Sequence, residues 1–255
     1  SNMEQSRRSF VANVSHELRS PMTSIKGYIS AMLDGTIGAA DQEKYLRVVL
    51  DETNRLSDLV RDLLDLSRLE SGKFPMNIAP FDVNEMMRRI LIRFEQRIDQ
   101  KHIDVQIDFA DDPCFALGDV SRINQVASNF IDNAVKFMTG EGSVLTLETV
   151  KADKSILFRV ADNGPGIAPE DQMHIFDRFY KADKAHTAGM GTGLGLSICK
   201  SIIQQHGSDI RFESQPGRTV FEFALPAAAK ALPEQPARLS APEPEKNDEL
   251  KERLD

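Results

Sequence analysis

Cysteine is scarce. The 255-residue chain has two, Cys114 and Cys199, far apart and in no C-x-x-C spacing, which argues against a disulfide framework and a cysteine zinc site. A reducing compartment is expected. A basic surplus is also missing: 31 lysines and arginines stand against 39 aspartates and glutamates, a net charge of −8, which argues against a dedicated nucleic-acid binder. No run approaches the roughly 18 consecutive apolar residues of a membrane helix, and the N-terminus lacks the apolar segment of a signal peptide. The sequence therefore reads as a soluble, cytoplasmic piece. Ser1-Asn2-Met3 reads as a cloning remnant, so the natural protein is expected to extend upstream. Glycine is short in one region only: Gly27, Gly35 and Gly38 are the only ones in the first 71 residues, whereas six fall between Gly164 and Gly195. Two kinds of structure are implied.

Over residues 5 to 34, apolar positions recur every seven residues. Val11, Leu18, Ile25 and Met32 form one row, and Val14, Pro21 and Tyr28 the other. After a short connection from Asp34 to Ala40, Val49, Leu56 and Leu63 pair with Leu59 and Leu66 in a second, wider stripe. This is the pattern of an α-helical hairpin. Two helices of ~30 residues, each ~45 Å long, have too little interior to cover both stripes, so a homodimer through residues 5–71, forming a four-helix bundle, is expected. At Ser71-Gly72-Lys73-Phe74-Pro75 the pattern stops, with Gly72 placed as a cap. From residue 76 to 226 helical and strand signals mix: helices at Asp82 to about Lys101, at Asp119 to Phe137 and at 194–206, strands at 103–109, 143–151 and 155–162, and a closing hairpin ending at Pro226. That order fits an α+β two-layer sandwich. Residues 227–255, with four of the 12 prolines and many charges, are expected to be a largely disordered tail.

Four places carry chemistry. In Ser15-His16-Glu17-Leu18-Arg19-Ser20-Pro21, the heptad register puts His16 away from the seam, exposed to solvent. An imidazole nitrogen there can attack phosphorus, and Glu17 can orient the ring or take its proton. Pro21, which costs a helix interior about 3 kcal/mol, points to a local bend. The simpler alternative is an ordinary surface histidine. In the helix around Asn129-Phe130-Ile131-Asp132-Asn133, the side chains of Asn129, Asn133 and Lys136 share one polar stripe beside a buried face of Ile123, Val126, Ala127, Phe130, Ala134 and Phe137. Asn129 can complete the shell of a Mg²⁺ ion and Lys136 can meet phosphate; a merely solvated face is the alternative. Period-two alternation places Asp162 on the apolar side of its strand with Ile156, Phe158 and Val160. A purine amine would satisfy it, and so would a fold back onto the next turn. Gly164 and Gly166 follow, allowing close backbone approach. Last, Gly189-Met190-Gly191-Thr192-Gly193-Leu194-Gly195 leads into a helix whose N-terminus makes an anion site, without the ending of a P-loop.

These boxes, in this order, resemble the core of the sensor histidine kinases of two-component signalling, over about residues 5–226. Phe10 with Ser15 to Pro21 is similar to the histidine box, Asn129 to Phe137 to the asparagine box, Asp162 to Ile167 and Gly191 to Leu196 to the two glycine boxes, and Ile175 to Tyr180 to the phenylalanine box. The resemblance implies a dimerisation and histidine-phosphotransfer domain at 5–71 and a catalytic domain of the Bergerat, histidine kinase-like ATPase type at 76–226. It implies that ATP phosphorylates His16, with Glu17 as its activating neighbour, and that the phosphoryl group passes to an aspartate in a response regulator receiver domain. Asn129 would hold Mg²⁺, Asn133 and Lys136 the phosphates, and Asp162 the adenine amine. Gly164 and Gly166 would shape the adenine pocket, while Gly191, Thr192, Gly193, Leu194 and Gly195 would close over the phosphates. The parent protein would work at the inner face of a membrane.

Three positions depart from the family pattern. Ser20 stands where members that dephosphorylate their regulator usually carry threonine or asparagine; its hydroxyl can still orient water, which leaves that second activity open. Met190 replaces a common glycine, and the turn Gln215 to Thr219 is one residue short, at a hairpin expected to lie far from ATP. A non-catalytic dimeric scaffold that binds a regulator, and another ATPase of the same nucleotide-binding fold, are the competing readings.

Overall fold

The computed structural model describes residues 2–70, 75–182 and 191–229. The expected cap at Gly72, Met190 and the tail from Lys230 lie outside the described residues. Two long helices come first, α1 (Asn2–Leu33) and α2 (Gln42–Glu70). The turn between them is fixed by the Asp34 carboxylate, which accepts the Thr36 N–H at 2.9 Å, and by Gly35 at φ +81°. Tyr28 and Tyr45 face each other across the hairpin with ring centroids 5.2 Å apart. Pro21 is buried inside α1, whose assignment runs through it without a break.

One stripe of each helix stays uncovered. On α1 the exposed Val11, Met22, Ile29 and Leu33 fall within about 40° of arc, and on α2 Leu46, Leu50, Val60 and Leu64 within about 80°. An open groove of about 710 Å³ follows the α1 stripe, lined by Ser15, Leu18, Arg19, Met22, Thr23 and Lys26.

The rest of the chain is a five-stranded sheet under a helical layer. Its order is β2 (Asp104–Phe109), β4 (Val144–Ala152), β5 (Ser155–Asp162), β7 (Arg218–Pro226), β6 (Arg211–Gln215), with only β2 and β4 parallel. The helices α3 (Val83–Gln100), α4 (Val120–Phe137) and α6 (Gly195–Gln205) contribute to one apolar cluster with the inward residues of the strands. Phe130 of α4 stacks on Phe221 at 5.0 Å, and Phe158 on Phe223 at 4.6 Å. Cys114 and Cys199 are buried and free.

Helix ends fall where side chains can satisfy them. Asp82 caps α3 by accepting the Glu85 N–H, and Asp119 caps α4 by accepting those of Ser121 and Arg122. At the other end of α4, the Lys101 ammonium donates to the carbonyls of Val135, Lys136 and Met138 at 2.7, 2.9 and 3.0 Å.

Two elements have no counterpart among the expected ones: β3 (Phe115–Gly118), which pairs with β1 (Ala79–Asp82), and the single turn α5 (Pro169–Gln172). Four residues with one hydrophobic alternation are too short to stand out as a strand. The ordered chain also continues past Pro226: Ala227 donates to Lys154 and Ala228 to Phe115.

Candidate functional site

The polar stripe of α4 forms as its spacing requires. Asn129, Asn133 and Lys136 are half-buried on one face, with the Asn133 amide donating to Asn129 Oδ1 at 3.2 Å. Beneath them Ile123, Val126, Ala127, Phe130 and Ala134 are buried, but Phe137 is 44% exposed and Ile131 and Val135 take its place. Position 137 is the last residue of the helix.

The loop before α6 lies directly against this stripe. A side chain at Gly195 would overlap the Asn129 amide, and one at Gly191 would come within 2.8 Å of Lys136 Nζ. Glycine at 195 therefore leaves the Asn129 amide where it is; any larger residue would have to displace that side chain. Leu194 is fully buried, so it presents its backbone to the site and its side chain to the core. Thr192 Oγ1 accepts the Leu194 N–H and donates to Asp62 of α2 at 2.6 Å.

At the end of β5, where Gly164 comes near Met138, Asp162 shows the fold back onto the following turn. Its Oδ1 accepts the Gly164 N–H at 2.9 Å, which is the fold back onto the turn, yet the group remains half-buried beside the apolar side of β5, and burial raises its pKa. Lys136 is shifted the other way, its pKa lowered by burial. The site residues thus include an acid and an ammonium that are both short of solvent, beside the two amides of α4, a set of groups suited to a ligand that offers both a donor and negative charge. For Mg²⁺ the donor set fits the ion's habit of taking one or two protein oxygens and completing its shell with phosphates and water. Among the described residues no group of three or more His, Cys, Asp or Glu offers an all-protein cage.

The β6–β7 turn is not remote from this site. Gly217 donates to the Gly164 carbonyl at 3.0 Å, Ile167 N–H to Ser214 Oγ at 2.8 Å, and a Cβ on Gly166, at φ +80°, would sit 2.5 Å from the Gln215 carbonyl. The shortened turn therefore forms one wall of the loop that carries Gly164 and Gly166. No sequence spacing announces this, because the contact joins residues some 50 positions apart.

On the hairpin, His16 is exposed, as its heptad position requires, about 120° around α1 from the uncovered apolar stripe. Ser20 is exposed one turn later. Glu17 is not paired with His16. Its carboxylate is held by Lys181 at 2.7 Å and Arg55 at 3.5 Å, all three side chains being no more than 20% exposed. Phe179 packs on Phe10 at 5.7 Å, and Asp65 of α2 accepts from Gln125 of α4. Asp62, Asp65, Arg55 and Lys181 are site neighbours that sequence reading missed; the only signal was the recurrence of Asp58, Asp62 and Asp65 along one face of α2.

Comparison with known proteins follows the same division. Residues 6–72 match the His Kinase A (phospho-acceptor) domain, and residues 118–229 match the histidine kinase-, DNA gyrase B-, and HSP90-like ATPases. The chain belongs to the sensor histidine kinases. This histidine kinase core is 36% identical over 228 residues to sensor protein SrrB of Staphylococcus aureus, covering 88% of the chain and 39% of SrrB. It therefore spans about two fifths of that relative's length. Among solved structures it is similar to the Acinetobacter baumannii histidine kinase AdeS, with a TM-score of 0.69 at 29% identity over 83% of this chain and 97% of that one. It is also similar to histidine kinase ThkA in complex with response regulator protein TrrA, with a TM-score of 0.71 at 29% identity over 86% of this chain and 61% of that one. The fold is a helical hairpin followed by a histidine kinase-like ATP-binding domain. No described helix is long and apolar enough to cross a membrane.

Proposed function

We propose that this chain transfers the γ-phosphoryl group of ATP to His16 and passes it to an aspartate of a response regulator receiver domain. The observation that carries the reading is the position of His16: its imidazole is open to solvent on a helix whose next residue, Glu17, is already in contact with the nucleotide-binding half. In this reading residues 5–71 are the dimerisation and phosphotransfer domain and 76–226 the catalytic domain.

The residues divide the work by chemistry. Asp162 accepts the adenine amine, and Gly164 and Gly166 let the ring lie against the backbone. Asn133 and Lys136 face the phosphates, and the backbone of Gly191, Thr192, Gly193, Leu194 and Gly195 offers N–H groups at the start of α6. Asn129 would hold Mg²⁺ through its amide oxygen, and the ion would supply neutralisation of phosphate charge. The lone pair of a His16 nitrogen then forms the new N–P bond as the bond from phosphorus to the ADP oxygen breaks, and the imidazole proton passes to Glu17, once that carboxylate leaves Lys181. Positioning and charge neutralisation supply most of the rate. Phosphohistidine on an exposed helix face is reachable by a receiver domain, a reading supported by ThkA having been solved with its regulator. Ser20 is exposed one turn on, and its hydroxyl would be the group that orients water if the chain also dephosphorylates its regulator.

The uncovered stripes support a homodimer, since a second hairpin would bury both in a four-helix bundle while leaving His16 outside. In the same reading the parent protein carries a sensing and anchoring segment upstream and works at the cytoplasmic face of a membrane; the match to only 39% of the length of sensor protein SrrB leaves room for such a segment.

Incubation with Mg²⁺ and γ-labelled ATP tests the reading: an acid-labile, base-stable adduct is expected, absent in His16→Gln and in Asn129→Ala, with Asn129→Ala still dimeric. Labelling of His16→Gln at the parent level would overturn the assignment.

A further inference from the structure

The nucleotide-binding half of the molecule is tied to the hairpin through one of its own phosphate-facing residues. The Leu194 N–H donates to Thr192 Oγ1 at 3.2 Å, and that hydroxyl donates in turn to Asp62 Oδ2 at 2.6 Å. A carboxylate of α2 is thus linked by one hydroxyl to the first turn of α6, the same helix start that is suited to receive phosphate. Asp62 is not placed there cheaply: burial raises its pKa, with Asp58 and Asp65 adding like charge. The Thr192 hydroxyl offsets this most, with a smaller attraction from Arg61 of its own helix, whose guanidinium is paired with Asp58, while Asp65 is paired with Arg122.

We propose that Asp62 is a positioning residue for the Gly191–Gly195 loop, holding Thr192 on the hairpin so that nucleotide binding and docking of the two halves oppose each other. The proposal rests on the ATP reading of the site. A triphosphate arriving at the start of α6 meets the like charge of Asp62 and draws on the N–H groups of a loop whose hydroxyl is committed to α2. Whatever free energy Asp62 contributes to the docked arrangement is subtracted from nucleotide affinity, and by linkage bound nucleotide weakens docking by the same factor. The same release would let Glu17 leave Lys181, because both contacts join the same two halves.

The test uses the intact chain and calorimetric titration with the non-hydrolysable analogue AMPPNP and Mg²⁺. Asp62→Ala is expected to tighten binding about fivefold or more, within the usual range of coupling between sites. Asp58→Ala, which removes an equal charge one turn away without touching Thr192, is expected to change affinity less than about twofold. In a Thr192→Val background, Asp62→Ala is expected to have no further effect. Unchanged or weaker binding by Asp62→Ala, or equal tightening by Asp58→Ala, overturns the proposal. Amide exchange without nucleotide separates it from the ATP reading: faster exchange at Leu194 in Asp62→Ala supports the latch even if the parent chain binds no AMPPNP, whereas unchanged exchange overturns it.

Discussion

Lys181 Nζ lies 2.7 Å from Glu17 Oε2, joining the segment after the phenylalanine box to the helix that carries His16. Both side chains are largely shielded, at 17% and 19% exposure, so the pair is screened less than a surface ion pair. A double-mutant cycle on thermal stability with Glu17→Gln and Lys181→Met is expected to return a coupling of about 0.5–3 kcal/mol. Strict additivity would mean that water or Arg55 replaces the lysine without loss.

The ionisation of Asp162 has opposite consequences with and without nucleotide. Its pKa is raised by burial, so its contribution to stability is present at acid pH and is lost as the pH rises through the folded-state value. At neutral pH the unliganded chain carries the cost of an ionised, partly desolvated carboxylate. Asp162→Asn keeps an oxygen for the Gly164 N–H, and its melting temperature without ligand is expected to equal or exceed the parent's. A donor amine favours the ionised form, so parent affinity for AMPPNP should rise with pH through that same value. The asparagine variant should bind about tenfold or more weakly and show no such pH dependence. Calorimetry across the acid to neutral range checks both signs.

Lys101 is the cap on the helix that bears the polar stripe. Replacing it by methionine leaves three carbonyls without their shared donor, and chemical denaturation is expected to show a loss of about 2–3 kcal/mol, partly restored by arginine. A loss below about 0.5 kcal/mol would mean that water caps the helix equally well.

Gly142 and Gly166 share nearly the same backbone, at φ +81° and +80°, but only Gly166 is packed against another segment. Alanine at 142 should cost about 1–2 kcal/mol from backbone conformation alone. Alanine at 166 should cost at least about 3 kcal/mol, because the Gln215 carbonyl must also move. Equal losses in urea denaturation would show that the β6–β7 turn yields freely.

The uncovered stripes predict how the hairpin assembles. Met22→Lys combined with Leu50→Lys places charge in the middle of the apolar surface of each helix. Sedimentation is expected to show a dimer for the parent and a monomer for the double variant, with AMPPNP binding retained. A dimer that survives both charges would place the interface elsewhere.

Much of this molecule is visible in its residue order because the elements obey local rules. The seven-residue repeat gives the hairpin and the exposure of His16; Asp82 and Asp119 mark helix starts as N-caps; alternation in β5 delivers Asp162 to the apolar side. What stayed hidden depends on distance along the chain. The pairing of Glu17 with Lys181 joins positions 164 apart, and that of Thr192 with Asp62 joins positions 130 apart. Neither leaves a local pattern. The reading of Phe137 as buried failed for a related reason: helical periodicity states which residues share a face but not how far along the helix that face is covered, and Phe137 is its last residue.

The sheet order also sets a schedule for biosynthesis. Among the described residues β7 is the last strand to be made, yet it lies between β5 and β6 and supplies the partners for both. Until residue 226 has been added, β5 has an open edge, and Gly166 has no β6–β7 turn against which to settle. The two hairpin helices are complete by residue 70 and meet each other without the sheet, although Leu59, Leu66 and Leu69 stay uncovered until the later helices arrive. A nascent chain would present His16 to solvent well before the site around Asn129 and Asp162 is complete.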